Sequence, residues 1–294
     1  MTAQLKRLLV GLLRLARFLP QWQVVPLARV AGVLVWHLVP ERRRVTRANL
    51  AACFPGMPAA ARERLARAHF GAFCASFAAY GMLAGSSRAR IERLVRIEGL
   101  EHLRALEGAP AILLAPHFVG LDVGFTRLAC ELDMVSMYAN QKDAAFSALL
   151  AAGRKRFGDQ LLVSRQEGIR AAIAGLRAGR PFYYLPDQDH GPRDAVFVPF
   201  FGVPAATVPG VARIAKLTGA RVLPCVTRLL PGGRGWLVQI ERAWPDFPTG
   251  DLLADTRRMN AYIERRVNEF PEQYIWMHKR FKTRPPGEAP LYGR

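Results

Sequence analysis

Little in this chain of 294 residues points to metal, disulfide or nucleotide chemistry. Its four cysteines, Cys53, Cys74, Cys130 and Cys225, include no close pair, which argues against a zinc site built on cysteine and fits buried thiols in a reducing compartment. No G-x-S-x-G elbow occurs, which argues against a serine hydrolase of the α/β-hydrolase kind. Nor is there a G-x-x-x-x-G-K-S/T loop to cradle a nucleotide. We expect neither a metal nor a cofactor. Acidic side chains are few: 23 Asp plus Glu stand against 42 Lys plus Arg, a net charge of +19. The expected partner is therefore anionic, whether nucleic acid, a phospholipid surface or an acidic carrier protein. Lysine is scarce too, at 6 against 36 arginines. The planar guanidinium fork suits phosphate, although an Ala- and Arg-rich codon bias gives the same ratio.

With 51% hydrophobic and 22% charged residues, the chain has ample material for a core and is globular. At 100° per residue, Lys6, Arg7, Arg14 and Arg17 of the segment Leu5 to Leu19 share one arc of a helix whose other face is Leu, Val and Phe. Such a helix suits the lipid headgroup boundary, and Pro20 stops it. The next apolar run, Val24 to Val39, is shorter than the ~20 residues of a spanning helix and carries Arg29. A clean transmembrane span is not expected, and two amphipathic helices packed on a soluble core remain an alternative. No small-residue cleavage site follows the first apolar run, so no signal peptide is expected.

Pro58 to Gly85 reads as a helix with Phe70, Phe73, Phe77 and Tyr80 on one stripe, either core or the lining of a hydrocarbon channel. From Ala111 onward, short apolar runs alternate with helical ones. AILLAP precedes a helix near Gly120 to Glu131, MVSMYA one near Ala144 to Phe157, and QLLVS one near Gln166 to Ala178. PFYYLP leads into a loop, a helix near Val208 to Leu217 follows, and the turn PGGRG joins RVLPCVTRLL to GWLVQIERAW. The pattern predicts an α/β fold, with a mostly parallel central sheet flanked by helices in one main domain from about residue 85. TRPPGEAPLYGR closes the chain as a Pro/Gly-rich tail.

Ligands of open α/β sheets collect beyond the carboxyl ends of the strands. AILLAP delivers His117 there, with Asp122 five positions on, and PFYYLP delivers Asp187. Five residues along a continuous helix turn by 140°, so His117 and Asp122 meet only if the histidine sits in the loop and the aspartate in the first helical turn. A carboxylate on one ring nitrogen would fix the tautomer and leave the other nitrogen to take a proton from a hydroxyl. A loop histidine satisfied by backbone and a dipole-favoured helix-start Asp fit the same residues.

The blocks RRRVTRANLAACFP, IEGLEHLRAL, LLAPHFVGLD, AAGRKRFG, YYLPDQDHGP, VFVPFFGVPAAT and PEQYIWMHKRFKTRP, in this order, resemble the late acyltransferases of lipid A biosynthesis. These are the lauroyl and myristoyl transferases, within the lysophospholipid-type acyltransferases. The resemblance implies that His117 and Asp122 form the catalytic His-x-x-x-x-Asp/Glu dyad and that Arg154 and Asp187 are functionally important, here assigned to substrate binding. It implies acyl transfer from acyl carrier protein to a hydroxyl of a lipid A precursor, a phosphorylated glycolipid, at the bacterial inner membrane with the catalytic part on the cytoplasmic side. The oxyanion of that reaction needs donors, for which backbone N–H groups near the helix start are candidates. Residues 1–40 are expected to be a membrane-associating helical segment and 41–294 the acyltransferase domain. A relative acting on another acceptor, such as an ornithine lipid or glycolipid, and a non-catalytic anionic-lipid-binding protein are the alternatives. Nucleic acid is not expected, because the charge is spread along the chain and no binding module is recognisable.

Overall fold

The computed structural model describes residues 11, 18–138, 153–166 and 168–293. Most of the basic helix read over Leu5 to Leu19 and most of the one read over Ala144 to Phe157 lie outside them. Helix α1 (Gln21–Leu38) meets α2 (Pro40–Cys53) at a bend of 99°, where Pro40 restricts Val39 and cannot donate to continue α1. The long α3 (Ala59–Gly85) packs along α1. A Cβ on Gly32 would lie only 2.7 Å from Gly71 Cα, so the two helices touch backbone to backbone, a closeness open only to glycine. Arg47 forks onto Glu63 at 2.8 and 2.7 Å, tying α2 to α3. Trp36 is buried under that link with its ring edge-on to Phe70. The outward side of α1 leaves Trp22, Leu27, Val30, Val33, Leu34 and Leu38 exposed. No single helix among the described residues is long and apolar enough to cross a membrane, while α1 and α2 together have the length and composition but are bent.

After α4 (Arg88–Leu94) the chain runs β1 (Val95–Glu98), α5 (Leu100–Arg104), β2 (Ala111–Leu114), α6 (Leu121–Ala129), β3 (Val135–Tyr138) and β4 (Leu161–Ser164). It continues through α7 (Arg170–Arg177), β5 (Phe182–Tyr184), β6 (Val196–Phe200), β7 (Val203–Thr207), α8 (Gly210–Thr218), β8 (Arg221–Leu229), β9 (Trp236–Ile240) and α9 (Leu252–Glu269). Seven strands form one sheet in the order β1-β9-β8-β2-β5-β3-β4, parallel except at the β8–β9 hairpin. This is the mostly parallel α/β sheet that the sequence pattern predicts. β2 lies in the middle and every one of its residues is buried, as a strand covered on both faces requires.

Two elements escape the sequence pattern. The pair β6–β7 forms its own antiparallel ribbon with Pro199 opposite Pro204, and proline in a strand masks the usual signature. β1 is four residues long with only Val95 buried, too short and polar for periodicity to register. The tail is not detached from the body: Tyr292 donates to Asn49 of α2 and accepts from Phe281 N.

Candidate active site

The site is built at the carboxyl ends of two neighbouring strands. β2 and β5 pair in parallel with Leu114 opposite Tyr184, and His117 and Asp187 each follow three residues later, so parallel register lifts both to the same height. His117 Nδ1 lies 2.8 Å from Asp187 Oδ1, and the His117 backbone N–H donates to both carboxylate oxygens at 3.1 Å. Burial alone would raise the Asp187 pKa, but the His117 ring and backbone together with Arg280 outweigh it and hold the carboxyl at about 2. An ionised carboxylate only accepts, so Nδ1 of His117 carries the proton and the lone pair of the neutral ring is on Nε2.

Asp122 stands where the loop-to-helix reading puts it, in the first turn of α6. Its carboxylate does not reach His117, however. It accepts from Arg154 Nε at 2.9 Å and Nη2 at 2.6 Å, and from the Tyr80 hydroxyl. The i+5 spacing turns Asp122 away from the loop, and a buried guanidinium already claims it. Burial works against the Arg154 charge, but Asp122 outweighs it and keeps the guanidinium firmly protonated. The carboxylate that meets the imidazole is thus Asp187, from the adjacent strand. Arg154 still lines the main cavity, with two of its three nitrogens committed to Asp122. Tyr80 borders a small space beside this ion pair, and no residue of the aromatic stripe of α3 lines the main cavity.

That cavity, about 630 Å³, opens over His117. Leu121, Met137, Leu162 and Ile169 give it apolar walls, and Arg154, Arg165 and Arg193 add positive charge, a combination suited to a hydrocarbon chain attached to an anionic group. A C-terminal segment closes it. Ile275 N donates to His117 O, Val119 N donates to Gln273 O, and the Ser76 hydroxyl donates to Val119 O. The basic motif of α2 holds this segment from behind: Asn49 Nδ2 donates to the carbonyls of Trp276 (2.7 Å) and His278 (2.8 Å), and Arg42 to that of Met277 (3.1 Å). Gln188 and His278, which the sequence reading did not single out, thereby come to His117: Gln188 Nε2 is 2.9 Å from both His117 Nε2 and His278 Nδ1. Their only sequence signal is that they sit in the motif blocks PDQDHGP and WMHKRF.

The backbone amides at the helix start are largely occupied. His117 N goes to Asp187, Phe118 N to Pro116 O, Val119 N to Gln273 O and Leu121 N to Phe118 O. Oxyanion donors are therefore not to be sought in these four. Among the described residues no group of three or more His, Cys, Asp or Glu side chains is arranged to hold a metal ion.

An imidazole paired with a buried carboxylate thus stands at the strand ends of an α/β sheet and faces a cavity with apolar walls and three arginines. The chain belongs to the bacterial lipid A biosynthesis acyltransferases, whose family model matches residues 2–283. It is 30% identical over 286 residues to the lipid A biosynthesis lauroyltransferase of Escherichia coli K12, covering 96% of this chain and 93% of that protein. It is 34% identical over 278 residues to the myristoyltransferase of the same organism, covering 94% and 85%. A lipid A biosynthesis acyltransferase of Haemophilus influenzae is 32% identical over 260 residues, covering 87% and 81%.

Proposed function

We propose that the protein transfers a fatty acyl chain from the thioester of acyl carrier protein to a hydroxyl of a lipid A precursor, with His117 as general base and Asp187 as the carboxylate that orients it. The observation that carries this reading is the pairing of His117 Nδ1 with buried Asp187. It leaves Nε2 as the basic nitrogen at a cavity of about 630 Å³. Base catalysis of this kind contributes roughly 10²–10⁴-fold. The net charge of +19 favours both an acidic carrier and a phosphorylated acceptor. In this reading the Asp122–Arg154 pair positions the cavity wall, and Arg154 offers its remaining N–H groups to an acceptor or donor phosphate. The exposed apolar side of α1 supports seating at the cytoplasmic face of the inner membrane, with residues 1–40 as the attaching segment and the rest as the catalytic domain.

The test is transfer from acyl carrier protein to a lipid A precursor by the purified full chain and by His117→Ala, with folding followed by circular dichroism. The folded variant should lose roughly 10²–10⁴ in rate, and near-normal transfer by it would remove the mechanism. Ornithine lipid and another glycolipid serve as competing acceptors. Faster transfer to either reassigns the acceptor without touching the base.

A further inference from the structure

The proton positions around Gln188 follow from one fixed point. The Asp187 carboxylate accepts from His117 Nδ1, so Nε2 of the neutral ring is an acceptor. The Gln188 atom 2.9 Å away must then be the donating NH₂. Its second hydrogen reaches His278 Nδ1 at the same distance, which makes that nitrogen an acceptor as well. Neutral His278 has only Nε2 left to carry its proton. Burial first, and then the neighbouring His117, push the His278 pKa down to about 4, so the ring is neutral at pH 7. Its Nε2 has no hydrogen-bond partner among the described residues and, unlike the unpartnered ring nitrogen of His69, is not sealed from solvent. The ring itself lines the cavity beside His117, with centroids 5.4 Å apart. One carboxamide thus sets two imidazoles in opposite roles. His117 presents a lone pair, and His278 presents an N–H.

We propose that His278 Nε2–H is a donor to the oxyanion of the acyl-transfer intermediate, and that Gln188 is the positioning residue that relays the tautomer Asp187 sets on His117 and so fixes the tautomer of His278. The assignment rests on the acyl-transfer reading above. In the step itself, the acceptor hydroxyl takes the place of the Gln188 hydrogen at His117 Nε2 and gives up its proton there. The hydroxyl oxygen bonds to the thioester carbonyl carbon, and the carbonyl π pair moves onto oxygen, where His278 Nε2–H meets it. Collapse breaks the C–S bond, and the departing sulfur takes the proton from the His117 imidazolium. The amides of His117, Phe118, Val119 and Leu121 are already bonded, which leaves this role to another donor such as a side chain. A neutral imidazole suits it, because it donates without delivering its proton to the intermediate.

Two measurements test this. The first needs no substrate: ¹⁵N-edited spectra of the histidine rings in the full chain, in detergent at pH 7, should show hydrogen on Nδ1 of His117 and on Nε2 of a neutral His278. Gln188→Glu, nearly identical in shape but unable to donate, should abolish that pattern. A protonated His278, or one carrying hydrogen at Nδ1 in the unaltered protein, overturns the assignment. The second is steady-state acyl transfer. His278→Phe should lower kcat by roughly 10²–10³-fold with KM little changed, the usual worth of one oxyanion donor, and His278→Gln should recover at least tenfold of the loss. Unchanged kcat in folded His278→Phe, or equal losses in the two variants, overturns the oxyanion role. Correct tautomers in a protein that transfers no acyl group would sink the acyl-transfer reading and the oxyanion role while leaving the Gln188 clamp standing.

Discussion

Two carboxylates flank the His117 loop, and they have opposite companions. Asp122 is next to it in sequence and buried, and its charge is met by the guanidinium of Arg154 and the phenol of Tyr80. Asp187 lies 70 positions away, is more deeply buried, and holds the imidazole itself. Nearness along the chain selects the ion pair of the wall, and nearness across the sheet selects the partner of the imidazole. A motif read as one dyad thus divides into two devices, one that fixes a proton and one that neutralises a buried cation.

The comparison breaks most readily at Asp187. Asp187→Asn keeps the shape but lets an amide face Nδ1, which favours the wrong tautomer. Acyl transfer should fall by about 10²–10⁴-fold with little change in KM, measured at saturating donor. The same variant sharpens the electrostatics. The Asp187 pKa is depressed in the folded state, from 3.8 to about 2, so its stabilisation is present above pH 4 and disappears as pH falls through 2. Acid titrations of unfolding should show a slope worth roughly 2 kcal/mol in this window that Asp187→Asn flattens.

The other half of the comparison is expected to show in stability more than in proton transfer. Asp122→Asn strands the buried Arg154 charge and should cost about 3 kcal/mol, while the double variant Asp122→Asn with Arg154→Gln should cost less than the sum of the singles. Thermal melts of the four proteins give this cycle. Arg154→Lys preserves the charge but cannot fork onto Asp122 and should melt lower than the unaltered protein. Additive losses would mean that the two side chains act separately. Replacing Val30 and Leu34 on the exposed side of α1 by serine should weaken sedimentation with anionic vesicles severalfold and leave the melting temperature nearly unchanged. The smallest effect is expected far from both carboxylates. Asp251 caps α9 by accepting from Leu253 N and Ala254 N, and Asp251→Ala should lower stability by about 1 kcal/mol with transfer intact.

Strand and helix alternation was readable because β2, β3, β4, β5 and β8 are short, largely apolar runs bounded by turn residues. Both His117 and Asp187 were readable as strand-end groups. AILLAPH and PFYYLPD even share a proline just before the polar residue, at Pro116 and Pro186. What periodicity does not encode is the order of strands in the sheet, and only that order makes β2 and β5 neighbours. Spacing and the family motif therefore pair His117 with Asp122, whereas the hydrogen bond its ring makes in the structure is lateral, to Asp187. Gln188 and His278 were hidden for a related reason. A histidine in a C-terminal loop shows no chemistry until Asn49, from the other end of the chain, fixes the carbonyl beneath it.

That last bond separates residues 229 positions apart, and its companions from Asn49 and Arg42 span 227 and 235. On a ribosome, the opening helices emerge long before the segment they are shaped to grip. Closing so long a loop is slow, and N-terminal elements settle first during synthesis. The pocket around His117 is therefore completed only after residue 278 has been made. A nascent chain exposes the apolar side of α1 before its ring of histidine, glutamine and histidine can form. In the proposed reading, a chain truncated before Trp276 should sediment with anionic vesicles yet transfer no acyl group.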